Sequence, residues 1–482
     1  MSVIGLDVGT SRVKAVRFDA DWASADGEGE ATKVVSVPGG GREQHMPEVW
    51  SAAADVVRTV AQRSPDPIDL VAVTAQGDGC WLVDDDLQPV GNAILWNDAR
   101  AGGIVDEWQR DGSADAAFRI SGCAAAPGTA NAQLRWLAAE RPQALDAAAT
   151  LLSCGSWVFA NLTGRRVLEE TDAANPFFGA RERGYRADLL ELYGIAELRR
   201  LLPDAVRGAD RIAALTADAA QRCGLRAGTP VALAPYDVAA TAVGTGVVGT
   251  GESFAVLGTT LCVGTVQDQP YLDRPANGIT LPGVADERWL LAYPTMCGTE
   301  VLDWCASLLG LADAATVVRH AAQSTHPRPP LVLPYLSPAG ERNPFLDADV
   351  RGTITALELG HRPADVARGA LEGLTMAVLD CLQAAGMPQS LALSGGGSRS
   401  ELWCQAISDA TGARVVRPDV DEVGARGAVL VGAADAGKFA DVDAAVAQVV
   451  RPGITHEPNP EMTEYFRTRY DEFVTARDAL RG

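Results

Sequence analysis

The sequence predicts an α/β fold in two domains, on three observations. Short glycine-threonine turns stand near the start of each half: Ile4-Gly5-Leu6-Asp7-Val8-Gly9-Thr10-Ser11 runs into Val13-Lys14-Ala15-Val16-Arg17-Phe18, and Ala255-Val256-Leu257-Gly258-Thr259-Thr260 runs into Leu261-Cys262-Val263-Gly264-Thr265-Val266. Each reads as an apolar strand, a tight turn and a second apolar strand. Apolar strands at 231–234 and 391–393 each lead into a helical pattern. A chain of 482 residues has room for two to four folding units, and two domains fit.

Taken in order, strands are expected at 3–6 and 13–18, a helix near 47–63 and a strand at 69–75. After a turn at 77–79 come Trp81-Leu82-Val83 and the acidic turn Asp84-Asp85-Asp86. Residues 92–96 lead to Asn97-Asp98-Ala99-Arg100, which opens a helix through about 110. Further helices are expected near 131–141, 153–161 and 187–193, and the polar, glycine-bearing stretch 163–186 reads as a loop-rich excursion. The strand 231–234 ends at Pro235-Tyr236-Asp237, before an alanine-rich helix over 238–245. The domain boundary falls near 246–252, giving domains 1–246 and 247–482. The second half restarts with the strand pair 253–266. Pro363 and Asp365 open a helix to about 385, striped by Leu371, Leu374, Val378 and Leu382. The strand 391–393 enters Ser394-Gly395-Gly396-Gly397-Ser398-Arg399-Ser400-Glu401 and a helix to about 411, with Ser398 and Glu401 as its capping box. Residues 457–482 read as a terminal helix packed on the second domain.

Composition narrows the function. A formal charge of −21 disfavours nucleic acid and anionic membranes, which need a basic footprint. It leaves ATP open, because phosphate binding is local and metal-assisted. Nine cysteines without a C-x-x-C spacing read as a reduced, cytoplasmic protein. The opening strand at Val3 has no basic or signal-like segment before it, and no apolar run is long enough for a bilayer. Five scattered histidines argue against histidine-based metal or triad chemistry.

Several polar groups sit where strands end. A glycine in a Gly-Thr turn lets backbone N–H groups and hydroxyls (Thr10, Ser11; Gly258, Thr259, Thr260) approach phosphate oxygens closely. Asp7 is placed to hold Mg²⁺ beside a polyphosphate, or to cap its own turn. Asp237 emerges at the carboxyl end of a strand, where α/β folds bind ligands, and is a candidate general base or a helix N-cap. Asp7 and Asp237 are the candidate metal carboxylates. The triple-glycine stretch 394–400 suits a nucleotide at a helix N-terminus, or is a tight strand-to-helix turn. Gln76, Gly77 and Asp78, and Trp96 with Asn97, Asp98 and Arg100, suit a polyhydroxylated ligand packed against an indole, or are surface turns with a cap and an ion pair. Gly244-Thr245-Gly246-Val247-Val248-Gly249 matches G-x-G-x-x-G in the wrong context, after a helix and before a strand, and reads as a decoy. There is no G-x-x-x-x-G-K-[ST], which excludes a P-loop kinase.

Together these motifs resemble the FGGY family of carbohydrate kinases over nearly the whole chain. The stretch 5–11 is similar to its first phosphate motif, Trp96-Asn97-Asp98-Ala99-Arg100 to its substrate-side W-N-D-x-R, Gly258-Thr259-Thr260 to its second phosphate motif and 394–400 to its adenosine motif. Gly352-Thr353-Ile354 through Asp365 to Glu372 resembles the C-terminal signature, with Ala356 where glycine is usual. The resemblance implies two actin-like (ribonuclease-H-like) domains with a cleft between them, closing on ATP and a sugar. It implies Asp237 as base, Asp7 near Mg²⁺, and nucleotide contacts from Thr10, Thr259, Gly396, Gly397 and Ser400. Lys14 matches a basic position of the first motif, and Gly298 a further nucleotide-side turn.

The chain departs from its relatives on the substrate side. Xylulose kinases usually carry Gln-Met-His where this chain has Gln76-Gly77-Asp78, and Val238 stands where Asn or Gln is common. Asp78 is expected to accept hydrogen bonds from a diol, and Gly77 to leave room for a ligand longer than glycerol. The expectation is an ATP- and Mg²⁺-dependent kinase of a small sugar or polyol, erythritol-like or xylulose-like. It has no nucleic-acid or membrane partner, and a homodimer is compatible with the sequence. The rival readings are an actin-like ATPase switch and a sugar sensor without phosphotransfer. Against the first stand Asp237 and the polar strand ends, which a pure switch does not need. Against the second stand the charge and the lack of a helix-turn-helix extension before Val3.

Overall fold

The computed structural model describes residues 2–283, 285 and 287–481. The chain forms two compact units. The first gathers the residues up to Val248 with Asp268–Leu290 and Glu422–Val450; the second holds Gly249–Gln267, Leu291–Asp421 and the residues from Arg451 on. The expected division into 1–246 and 247–482 differs from this in the two later segments, which pack with the first unit. Among the described residues no single helix is long and apolar enough to cross a membrane.

The first unit is built on a six-stranded sheet in the order Ile212–Ala214, Pro230–Leu233, Ile68–Ala75, Ser2–Val8, Arg12–Phe18, Ser24–Ala31. Its three central strands, Pro230–Leu233, Ile68–Ala75 and Ser2–Val8, are parallel, and the flanking ones antiparallel. The central strands are apolar almost throughout because both sheet faces are covered. Helix Met46–Arg63 covers one face with Val49, Ala53, Val56, Val57 and Val60. Helix Val423–Asp435 covers the other, setting Ala425, Ala428, Val429 and Ala433 against Val3, Val16, Leu70, Ala72 and Ala232.

That second helix lies unusually close. A Cβ on Gly5 would sit 2.4 Å from the carbonyl oxygen of Ala425. Helix Asp237–Thr245 crosses it at glycines: a Cβ on Gly244 would lie 1.8 Å from Val423 O, and one on Gly427 1.8 Å from Ala240 O. Gly244 thus serves a helix crossing and Gly246, at φ 88°, ends the helix, which accounts for the G-x-G-x-x-G decoy without a ligand.

The stretch 163–186 is more ordered than its sequence suggests. It contains helix Glu170–Phe177, whose last turn leaves helical geometry at Asn175 and Pro176, flanked by the short strands Leu168–Glu169 and Phe178–Gly179. Pro176 breaks the helical periodicity, and the element is held by burial of Ala173, Ala174 and Phe177.

The second unit repeats the strand plan. Ser253–Leu257 and Leu261–Gln267 form an antiparallel hairpin, and Ser390–Ser394 and Arg414–Pro418 add parallel strands beside its first member. Helix Pro363–Ala385 buries the predicted stripe Leu371, Leu374, Val378 and Leu382. The terminal helix is Pro460–Arg481. It docks on Pro363–Ala385 through Tyr465 and Arg469 to Glu372, and Tyr470 and Arg477 to Asp380.

Candidate active site

The close helix crossing in the first unit brings two helix starts to the carboxyl ends of its parallel strands. Asp7, near the end of Ser2–Val8, is half-buried, and a Cβ on Gly424 would lie 3.0 Å from its Oδ2. Burial raises its pKa to about 6, with Lys14 opposing and Glu422 adding to the rise. Lys14 is Asp7's neighbour across the hairpin. Its ammonium is clasped by both Glu422 oxygens, at 2.8 and 3.0 Å. The basic group expected to reach phosphate is therefore seated in an ion pair, each partner about one-third exposed.

Asp237 is the first residue of its helix. Tyr236 takes the N-cap position, so the N-cap reading of Asp237 does not hold. The turn that presents it is pinned from two sides: Thr74 Oγ1 donates to Pro235 O at 2.6 Å, and Tyr236 N donates to Thr171 Oγ1 at 3.1 Å. Burial first, then the charges of Asp7 and Asp78, raise the Asp237 pKa to about 7, against an opposing Val238 N–H. A buried carboxylate raised by the charge of a neighbouring carboxylate, as Asp237 is by Asp7, suits a cation, which relieves the repulsion. Their oxygens are the donor type that Mg²⁺ takes.

A closed hydrogen-bond ring stands beside them. Trp96 Nε1 donates to Thr10 Oγ1 (2.9 Å), Thr10 Oγ1 to Gln76 Oε1 (2.7 Å), Gln76 Nε2 to Gln44 Oε1 (2.8 Å) and Gln44 Nε2 to Thr10 O (2.7 Å). Gln76 is 3% exposed with both amide ends engaged, so it orients Thr10 and Trp96. Thr10's hydroxyl is likewise engaged in this ring, whereas Ser11 is exposed. Asp98 and Arg100 resolve to their structural reading. Buried Asp98 takes the Arg42 N–H at 2.7 Å and the Arg100 guanidinium, which also meets Glu43 at 2.9 Å. They brace the loop that carries Trp96.

The space beside Gly77 corrects the sequence expectation. A Cβ there would lie 2.4 Å from Tyr236 Cδ2, so the ring of Tyr236 fills the room that a smaller residue was expected to open. Asp78, at φ 57°, accepts from Asn175 Nδ2 at 2.7 Å. Asp172, one turn before Asn175 on helix Glu170–Phe177, accepts from Ser153 Oγ at 2.7 Å. Burial, Glu169, Asp78 and Asp237 hold its carboxyl well above the usual range. Asp172 Oδ1 and Asn175 Oδ1 are buried without a hydrogen-bond partner.

In the second unit, the turn at 258–260 meets two others. A Cβ on Gly298 would lie 2.2 Å from Thr259 O, and one on Gly395 2.8 Å from Leu257 O. Thr299 N donates to Gly258 O at 2.9 Å. Gly397 packs on Trp403, whereas Gly396 faces open space. Thr259 is exposed and Thr260 partly so. Ser400, not Ser398, caps helix Glu401–Thr411, through the Trp403 N–H at 3.1 Å; Ser398 Oγ turns back to Gly395 O. The expected capping box of Ser398 and Glu401 does not form, because a 3₁₀ turn at Gly396–Arg399 delays the helix start to Glu401 and leaves a one-sided Ser400 cap.

Glu422, Gly424, Tyr236, Asp172 and Asn175 were not expected from sequence. A faint signal for the last two exists in Glu169-Glu170-Thr171-Asp172-Ala173-Ala174-Asn175, where polar residues recur at helical spacing among alanines.

A family-wide comparison gives this geometry a class. Residues 2–244 match the N-terminal domain of the FGGY family of carbohydrate kinases, and residues 254–436 match its C-terminal domain. The chain is 31% identical to the erythritol kinase of Brucella abortus (strain 2308), over 99% of this chain and 96% of that one. It is 28% identical to the xylulose kinase of Escherichia coli (strain K12), over 85% and 84%. The ligand-bound xylulose kinase from Lactobacillus acidophilus has the same fold, with a TM-score of 0.92 at 20% identity over 100% and 98% of the two chains. The chain belongs to the FGGY family of carbohydrate kinases. It is an ATP-dependent phosphotransferase with an alcohol group as acceptor.

Proposed function

We propose that the chain transfers the γ-phosphoryl group of ATP to a hydroxyl of a small neutral alditol or ketose of about four to six carbons. An erythritol-like tetritol and a xylulose-like pentulose are the leading acceptors, on the names of the erythritol and xylulose kinases it resembles. The observation that carries the reading is Asp237: a carboxylate at a buried strand end, with its pKa raised to about 7. A base titrating near neutral pH is ionised often enough to act and basic enough to take a hydroxyl proton. The alkoxide character so gained lets that oxygen attack the γ-phosphorus in line, while the protein supplies alignment.

Asp7 and Asp237 are the groups that would hold Mg²⁺, whose charge neutralises phosphate oxygens. For the nucleotide, Gly258, Thr259, Thr260, Gly298, Gly396, Gly397 and Ser400 are proposed, with Ser11 and Lys14 for phosphate. The nine cysteines are all free and buried, which favours a reducing compartment such as the cytoplasm.

The test is ADP release against a panel of tetritols, pentitols, ketopentoses, ketohexoses and glycerol, on wild type and Asp237→Asn. The expected outcome is stimulation by one neutral compound and a loss of about 10²–10⁴ in kcat in the variant, with ATP binding retained. Near-normal turnover by Asp237→Asn would overturn the base assignment. A flat panel on wild type that still binds ATP would overturn the acceptor class.

A further inference from the structure

Asp172 and Asn175 form the part of this site that the transfer chemistry does not use. Asn175 is 4% exposed, and its amide is oriented: Nδ2 faces the Asp78 carboxylate, so the partnerless atom is the acceptor Oδ1. Asp172 spends Oδ2 on Ser153, which leaves Oδ1 buried and unmet. Buried polar atoms in folded proteins are nearly always paired, so two orphans one helical turn apart mark a place where a ligand supplies the partner. Both lie by Asp78, and Asp172 also feels the charge of Asp237. The charges acting most strongly on Asp172 and Asp237 are carboxylates, with no cation among them.

We infer that Asp172 and Asn175 bind hydroxyl groups of the acceptor, and that with Asp78 and Asp237 they make an acceptor-rich, negative pocket that selects uncharged polyhydroxy compounds over sugar acids. The inference rests on the kinase reading and names the residues that decide its substrate. A hydroxyl brings the hydrogen that both orphan oxygens lack. A carboxylate on the substrate brings none, and meets like charge in a desolvated place where repulsion is weakly screened. Asp172 and Asn175 touch no reacting atom in this scheme. Their loss therefore falls on binding, while the loss of Asp237 falls on turnover.

The experiment measures kcat and KM of the full chain for erythritol, D-xylulose and the matching acid, erythronate, with wild type, Asp172→Asn, Asp172→Ala and Asn175→Ser. Binding is followed separately through quenching of tryptophan fluorescence, with thermal melts as a check of folding. Expected are a wild-type kcat/KM at least about 100-fold lower for the acid, and a KM for the preferred neutral acceptor raised about tenfold or more in Asp172→Asn at nearly unchanged kcat. The neutral-to-acid ratio should narrow in both Asp172 variants, because the oxygens placed to meet a substrate hydroxyl have been replaced or removed. Wild type that uses erythronate as well as erythritol overturns the inference, and so do folded Asp172 variants with wild-type KM and ratio. Wild type that binds a neutral polyol without turnover, with binding lost in the Asp172 variants, overturns the kinase reading and supports the recognition role.

Discussion

Asp7 and Asp237 are held in a state that costs the fold stability. Both have folded pKa values, about 6 and about 7, above the unfolded value near 3.9. The fold therefore binds their protons more tightly than the unfolded chain does. Below about pH 4 both states are protonated and there is no penalty. As pH rises from about 4 to 7 the unfolded chain gives up these protons before the fold does, so stability is lost progressively, and above 7 the full penalty of ionised, desolvated carboxylates is present. Metal-free Asp237→Asn is thus expected to melt about 3 °C or more above wild type at pH 8, and at the wild-type temperature near pH 4, by calorimetry in EDTA. An equal difference at both pH values would show that the charge is not the cause. At this scale the sequence was readable where an acid directly follows a short apolar strand, as Asp7 and Asp237 do. It was unreadable where partners are remote: Lys14 meets Glu422 across 408 positions, and nothing local marks Glu422 as special. Gly77 misled because what fills a missing side chain's space, here Tyr236, is not a property of the glycine.

Elements matter here through how closely they pass. Gly244 and Gly427 let helices Asp237–Thr245 and Val423–Asp435 touch backbone to backbone, and those helices begin at Asp237 and beside Asp7. Gly427→Ala is expected to destabilise by about 1–3 kcal/mol or more and to lower kcat at least about tenfold, because the helix starts must separate. Unaltered melting and turnover would show that the crossing has slack. On the terminal helix, Arg477 and Tyr470 satisfy buried Asp380. Arg477→Ala leaves that carboxylate short of its counter-charge and is expected to cost about 3 kcal/mol in denaturant unfolding, with kcat in native buffer unchanged. The helix Pro363–Ala385 was legible from its leucine and valine stripe, and the hairpins from their Gly-Thr turns. Helix Glu170–Phe177 was not, since Pro176 and the run of small and polar residues hide a face that only packing defines.

For the whole molecule, the strand plan of the first unit recurs in the second, yet the two units are not consecutive pieces of chain. The first is completed only by Asp268–Leu290 and Glu422–Val450. A fragment ending at 248 lacks the helix that buries Val3, Val16, Leu70 and Ala72, and is expected to be insoluble or molten. Co-expression with a 422–450 peptide should recover soluble protein with a cooperative melt, and a fragment that melts cooperatively without it would contradict this view. Division into two repeats was readable from the paired Gly-Thr turns. The return of the chain to the first unit was not, because an alanine- and valine-rich helix fits either sheet. That return also sets a schedule for synthesis. One face of the first sheet emerges from the ribosome early and waits for residues some 350 positions later. At roughly 5–20 residues per second that is about 20–70 s during which a bare apolar face must be shielded, so newly made chains should be clients of holding chaperones for longer than their size alone requires.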